Sequence, residues 1–332
     1  MLGWVKVVVG ALVMAAFALP LITFGKFQRL RDEPMAVLVA SLAGFDFLFG
    51  ILLTLLGVLE VSLGYVPFCA GIQYVVVATA GAVKIATLGL AVDQYMAVSN
   101  PLHYRCLMER RLRWLIGAAW FQLLQLVCVG GAFHAAGAVT WHEFSHPGQN
   151  GTAMFTGCRW ESSVSNTYIF MFEIELFLSS VATSALMLYT ARIGSLRGRV
   201  IRNQQRRGEH AGSEHERRFI ENFRAFKKIL KLLSLSLVLD VTTPVFRLYQ
   251  RWHAMPTVAG VLHVLRLGCT ILEGSTYGLM NRSLRKAYRD LLGIKDTKIR
   301  AAPQVRTITV RTNTRTPPTD ARHQLQRSVT EA

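Results

Sequence analysis

Charged side chains are scarce in this chain of 332 residues, at 17% of the total, against about 25% in soluble domains. Acidic residues are scarcer still, 20 against 37 Lys and Arg, for a net charge of +17. Five cysteines are too few for a disulfide scaffold. No His/Cys cluster at metal-ligand spacing, no Gly-rich phosphate loop and no nucleophile–base constellation is written in the sequence. The chain is therefore expected to be no enzyme, and to need neither metal nor cofactor. What is present is apolar: 52% of the residues, with a mean hydropathy of +0.32. These residues come in long runs separated by basic patches. That pattern excludes a disordered chain and most soluble enzymes.

A helix needs about 20 mostly apolar residues to cross a bilayer. Seven runs qualify, at roughly 4–25, 35–60, 68–97, 113–137, 166–193, 224–249 and 256–279. A soluble helical bundle would show a polar face every 3.6 residues. Val7–Ile22 and Ile51–Leu59 show almost none. The expected fold is an all-α membrane protein, a seven-transmembrane helix bundle over residues 1–293, with a polar, disordered tail over 294–332 that holds Pro303, Pro317 and Pro318. The stretch 194–222, rich in Arg, Gln, Gly and Glu, reads as a partly mobile loop. The first run is longer than a secretory leader's apolar core and is followed by Lys26, Arg29 and Arg31, so it reads as a span rather than a cleaved leader.

The basic residues orient the chain. Stretches 26–31, 105–113, 192–231 and 282–332 hold 3, 4, 12 and 12 Lys or Arg, that is 31 of the 37. They fall at every second loop and at the carboxyl end. The charge is therefore a positive-inside signature and not a nucleic-acid footprint. It puts the amino end outside and the carboxyl end in the cytoplasm. Asn150-Gly151-Thr152 is a glycosylation sequon in a loop assigned to the outside, so Asn150 is the expected glycan site. Asn281-Arg282-Ser283 falls inside and should stay unmodified.

Cys69 and Asp93 stand 24 residues apart, about 36 Å on one helix. The text then runs Asp93-Gln94-Tyr95 and Pro101-Leu102-His103-Tyr104. This resembles the Asp-Arg-Tyr and Pro-Leu-His-Tyr signatures of rhodopsin-like (class A) G-protein-coupled receptors. Leu30-Arg31 with Pro34, Ser41-Leu42-Ala43 with Asp46, Trp120, Tyr189, Pro244 and Tyr277 match other landmarks of that family in order and spacing. Arg282–Leu292 reads as its short amphipathic eighth helix, with Leu284, Ala287, Tyr288 and Leu291 on one face and basic residues for anionic membrane lipid on the other. The resemblance implies a plasma-membrane receptor for an outside ligand, with a heterotrimeric G protein as cytoplasmic partner. It implies a disulfide between Cys69 and Cys158, and a coupling end built from Asp93, Gln94, Tyr95, Tyr189 and Tyr277. It also implies arrestin recruitment by a phosphorylated tail, here carrying Thr307, Thr309, Thr312, Thr314, Thr316, Thr319, Ser328 and Thr330.

The departures are specific. Gln94 replaces the family arginine, Glu273-Gly274 the seventh-helix Asn-Pro, Thr242 the sixth-helix tryptophan and Val181 the fifth-helix proline. A receptor-fold protein that does not couple, such as a scavenger or a dimer partner, is the alternative. A transporter or channel would show inverted repeats, and none is visible.

Ionisable groups at membrane depth default to functional hypotheses. Asp46, Lys84, Asp240, Arg266 and Glu273 all fall within spans. Asp46 and Glu273 cannot both ionise at close range without a cation, and helix geometry puts Lys84 at their depth. Lys84 is thus expected near Asp46 or Glu273, in a network with Asp240. Gln73, Val76, Glu173, Arg247 and Arg266 are the candidate ligand contacts. Arg266 either receives an anionic ligand, pairs with Glu173 or snorkels outward. The family's amine receptors carry an acid at the Val76 position and its opsins a lysine at the Leu267 position, so neither subfamily is expected.

Overall fold

The structure, a computed structural model, describes residues 2–61, 68–100, 103–140, 143, 158, 163–206, 214–249, 258, 261–262, 264–266, 268–272 and 282–293. Six long helices carry most of them: α1 (Leu2–Lys26), α2 (Pro34–Val61), α3 (Cys69–Ser99), α4 (Tyr104–Ala135), α5 (Asn166–Arg206) and α6 (Glu214–Tyr249). The described residues within 258–272 are helical as well. A short helix, α7 (Arg282–Leu291), follows. Thr140 and Ser165 form one isolated antiparallel bridge, and no strand occurs among the described residues. Helices α1 to α5 are each long and apolar enough to cross a bilayer. With every backbone bond closed inside the segment, a helix satisfies the polar backbone where no water can.

Three helices run past the apolar stretches that announce them. α4 begins at Tyr104 rather than near 113, α5 ends at Arg206 rather than near 193, and α6 begins at Glu214 rather than near 224. The expected loop over 194–222 is thereby corrected: most of it is helix. Hydropathy marks only the part of a helix that suits hydrocarbon, whereas Arg, Gln, Glu and Lys continue it well in water. Packing sustains the extension. Gly194 of α5 faces the Phe223 ring of α6 so closely that a Cβ would collide with it. Phe219, Phe223 and Phe226 are buried there, with Phe219 and Phe223 stacked at 6.0 Å.

α1 and α2 pack antiparallel through glycines seven residues apart on each helix. A Cβ on Gly57 would lie 2.6 Å from the Gly3 carbonyl oxygen, and one on Gly50 would lie 3.0 Å from that of Gly10. The next heptad step on each helix brings buried Phe17 and Ala43 into one cluster with Val13. Small residues let backbones approach, which gives van der Waals contact where lipid offers no hydrophobic drive. The same interface buries an ion pair, Lys6 Nζ to Glu60 Oε2 at 2.7 Å.

α3 is the axis of the bundle, touching α2, α4, α5 and α6. Its Asp93 half joins the largest apolar cluster, with Leu42, Leu90, Met108 and Met187. Leu284, Ala287 and Tyr288 of α7 complete that cluster. Burial pushes the Tyr288 phenol up to about 12. Trp120 of α4 packs on Phe45 of α2 at 4.9 Å between ring centroids.

Candidate functional site

The chemistry-bearing residues gather at three levels along α3. At the Cys69 end a disulfide joins Cys69 to Cys158. Beneath it Val76 packs with Leu56 and both cysteines. Gln73 is buried and its amide donates to the Cys158 carbonyl at 3.5 Å. Two of the five candidate ligand contacts therefore pack on Cys158. Tyr74 braces the same end. Its hydroxyl accepts the Ser165 N–H at 3.0 Å, and its ring meets Tyr168 edge-on at 4.9 Å. Glu173 of α5 is 1% exposed, and Arg247 of α6 donates to its Oε1 at 2.5 Å. The partner of Glu173 is thus Arg247.

The middle level is a charge cluster. Lys84 Nζ donates to Asp240 Oδ2 at 2.6 Å, and Arg266 Nε lies 3.7 Å from Asp240 Oδ1. Helix α3, helix α6 and the 258–272 segment thereby share one buried carboxylate. The sequence puts Lys84 near Asp46 or Glu273 in a network with Asp240, and the 2.6 Å bond goes to Asp240. Asp46 is buried in α2, while Glu273 lies outside the described residues, as do Tyr277 and Asn150. Depth along a helix is legible in a sequence. The direction in which a side chain leaves the helix axis relative to three neighbours is not.

The third level is the Asp93 end of α3. Asp93 is fully buried. Tyr104 of α4 donates its hydroxyl to Asp93 Oδ1 at 2.6 Å, the short distance of a bond to a carboxylate. The Gln94 amide reaches Asp93 Oδ2 at 3.4 Å and also points at the Met35 sulfur of α2, 3.7 Å away. A weak amide contact thus stands beside the acid, and the tyrosine holds it. Tyr95 and Tyr189 bring their rings to 5.9 Å between centroids. Arg197 of α5 donates to the Val98 carbonyl at 2.6 Å, tying the extended α5 to the end of α3. Sequence reasoning missed Tyr104 as the acid's partner, although it stands in the motif. It also missed Arg197, which looks like one loop arginine among many.

A buried aspartate at one end of α3, a disulfide at its other end and a charge cluster between them lie along one helix of a helical membrane protein. The family model for the 7 transmembrane receptor (rhodopsin family) matches residues 18–259, and the chain belongs to that family. No curated protein matches the sequence.

Proposed function

We propose that the protein is a receptor of the plasma membrane that passes an outside ligand signal to cytoplasmic heterotrimeric G proteins. The amino end would lie outside with a glycan on Asn150, and the carboxyl end inside, where a phosphorylated tail would recruit arrestin and basic residues of α7 would meet anionic lipid. The observation that carries this reading is the Lys84–Asp240–Arg266 cluster. It ties α6 to α3 between the disulfide and the Asp93 end. A ligand near Glu173, Arg247 and Arg266 would shift the helix arrangement by its differential affinity for the two states. An anion that draws Arg266 from Asp240 would do so directly. That would loosen α6 from the 258–272 segment, and release of the Lys84 tie as well would let α6 leave α3 and open the Asp93 end to the G protein.

The test is activation of each G-protein class in cells, normalised to surface receptor, for the wild type against a ligand panel and for Lys84→Met. The variant removes the short tie but leaves Arg266 beside Asp240, so basal activation is expected to rise. Gln94 favours the second reading, a receptor-fold protein that does not couple, because the arginine of the family signature is missing. Silence of wild type and variant across all classes, with both at the surface, establishes that second reading.

A further inference from the structure

We propose that the groove between α4 and α5, open to lipid, is a binding site for a small hydrophobic amine, held by the Glu175 carboxylate. The groove has a volume of about 310 Å³ and is walled by Leu126, Met171 and Leu178, the size of a compact ligand site. Three polar side chains interrupt this apolar wall. Glu175 of α5 is half-buried, and the Gln122 amide of α4 donates to its Oε1. Gln125, three residues further along α4, lines the same groove and is exposed. Tyr168 lines it two helical turns before Glu175, and its buried hydroxyl has no hydrogen-bond partner among the described residues.

Polar groups facing lipid are costly and mark function rather than packing. An amide gives Glu175 a hydrogen bond but no countercharge. The cations of the spans are engaged elsewhere: Lys6 on Glu60, Lys84 and Arg266 on Asp240, and Arg247 on Glu173. Among the described residues no cation pairs with Glu175, and a ligand's positive charge suits it. Depth narrows its source. Glu175 is nine residues into α5, about 14 Å from the helix start. A phospholipid headgroup stays at the interface, and a sterol hydroxyl brings no charge. A second copy docking by the same face would bring another glutamate and two more glutamines to this level, and no cation. A compact amine dissolved in the bilayer meets the carboxylate with its ammonium, the amides with hydrogen bonds and the apolar walls with its body.

The experiment uses the full chain in phosphatidylcholine nanodiscs and three photoreactive, clickable probes with one undecyl chain, ending in a primary amine, an alcohol or a carboxylate. The amine is expected to label α4 and α5 peptides about tenfold more than the alcohol, the scale of one charge-assisted contact. Glu175→Gln, which still accepts the Gln122 bond, should reduce amine labelling to the alcohol's level without moving the thermal unfolding midpoint. Leu178→Trp, which fills the groove and leaves the carboxylate, should abolish labelling and keeps the test decisive should Glu175→Gln fold poorly. Equal labelling by the three probes, or unchanged labelling in Leu178→Trp, overturns the site. Cys128 is exposed on α4; if the chain is dimeric in nanodiscs and two copies crosslink through Cys128 equally with and without the amine, the face is an interface between copies and the amine site is likewise overturned.

Discussion

Asp93 shows how a single substitution redistributes a hydrogen-bond network. Where the family signature has arginine, Gln94 supplies a 3.4 Å amide contact, and the Tyr104 hydroxyl supplies the short bond at 2.6 Å. Tyr104→Phe should therefore strand a fully buried carboxylate, at about 1.5–3 kcal/mol for a bond to a charged group. Thermal unfolding in detergent is expected to fall for Tyr104→Phe and to recover in Gln94→Arg/Tyr104→Phe, because a guanidinium restores both charge and donors. A double variant no more stable than the single one would show that position 94 does not face the acid. Asp240 makes a second prediction at this scale. Two cations share it, so Asp240→Asn takes a carboxylate from both whereas Lys84→Met leaves Arg266 in place. Removing one partner of a buried pair costs about 3–5 kcal/mol. Surface expression should fall further for Asp240→Asn than for Lys84→Met, and Lys84→Met/Asp240→Asn should recover part of the loss. The reverse order would place the dominant countercharge of Lys84 elsewhere.

Helices α1 and α2 depend on absent side chains. Gly50 and Gly57 meet the opposing backbone, whereas a Cβ on Gly44, in the same helix, meets nothing within 4 Å. Gly50→Val should lower stability by about 1–3 kcal/mol through overpacking, and Gly44→Val should be close to neutral; flow cytometry of surface receptor and thermal unfolding compare them. Equal behaviour of the two would mean that the helices separate without cost. The extensions of α5 and α6 are the other lesson at this scale. Lys and Arg at 192–231 mark a side of the membrane, yet most of them sit on α5 and α6, where Gly194 meets Phe223 and Arg197 ties α5 to Val98 of α3. Phe223→Ala should loosen this contact and raise hydrogen exchange in residues 194–206, with little change in α1.

At the scale of the molecule, the disulfide and the sequon test orientation together. The Cys69–Cys158 bond needs an oxidising compartment, and Asn150 lies eight residues before Cys158. Non-reducing mass mapping is expected to find this pair alone. Glycosidase treatment should shift the wild type but not Asn150→Gln, and a tag after Ala332 should be reached by antibody only in permeabilised cells. A glycan on Asn281, or reactive thiols at both Cys69 and Cys158, would reverse the assigned sides.

The sequence by itself determined the helical membrane class, because bilayer thickness converts directly into apolar run length. It also determined the family, through Asp93-Gln94-Tyr95, Pro101-Leu102-His103-Tyr104 and Pro244 at their spacings. Tertiary structure decided the pairings. Lys84 meets Asp240, Arg247 meets Glu173, Tyr104 meets Asp93 and Gln122 meets Glu175. Each pairing depends on the rotation of one helix against another. That rotation is fixed by close contacts such as Gly10 on Gly50, and by rings such as Tyr74 beside Gly130. Hydropathy does not carry that information.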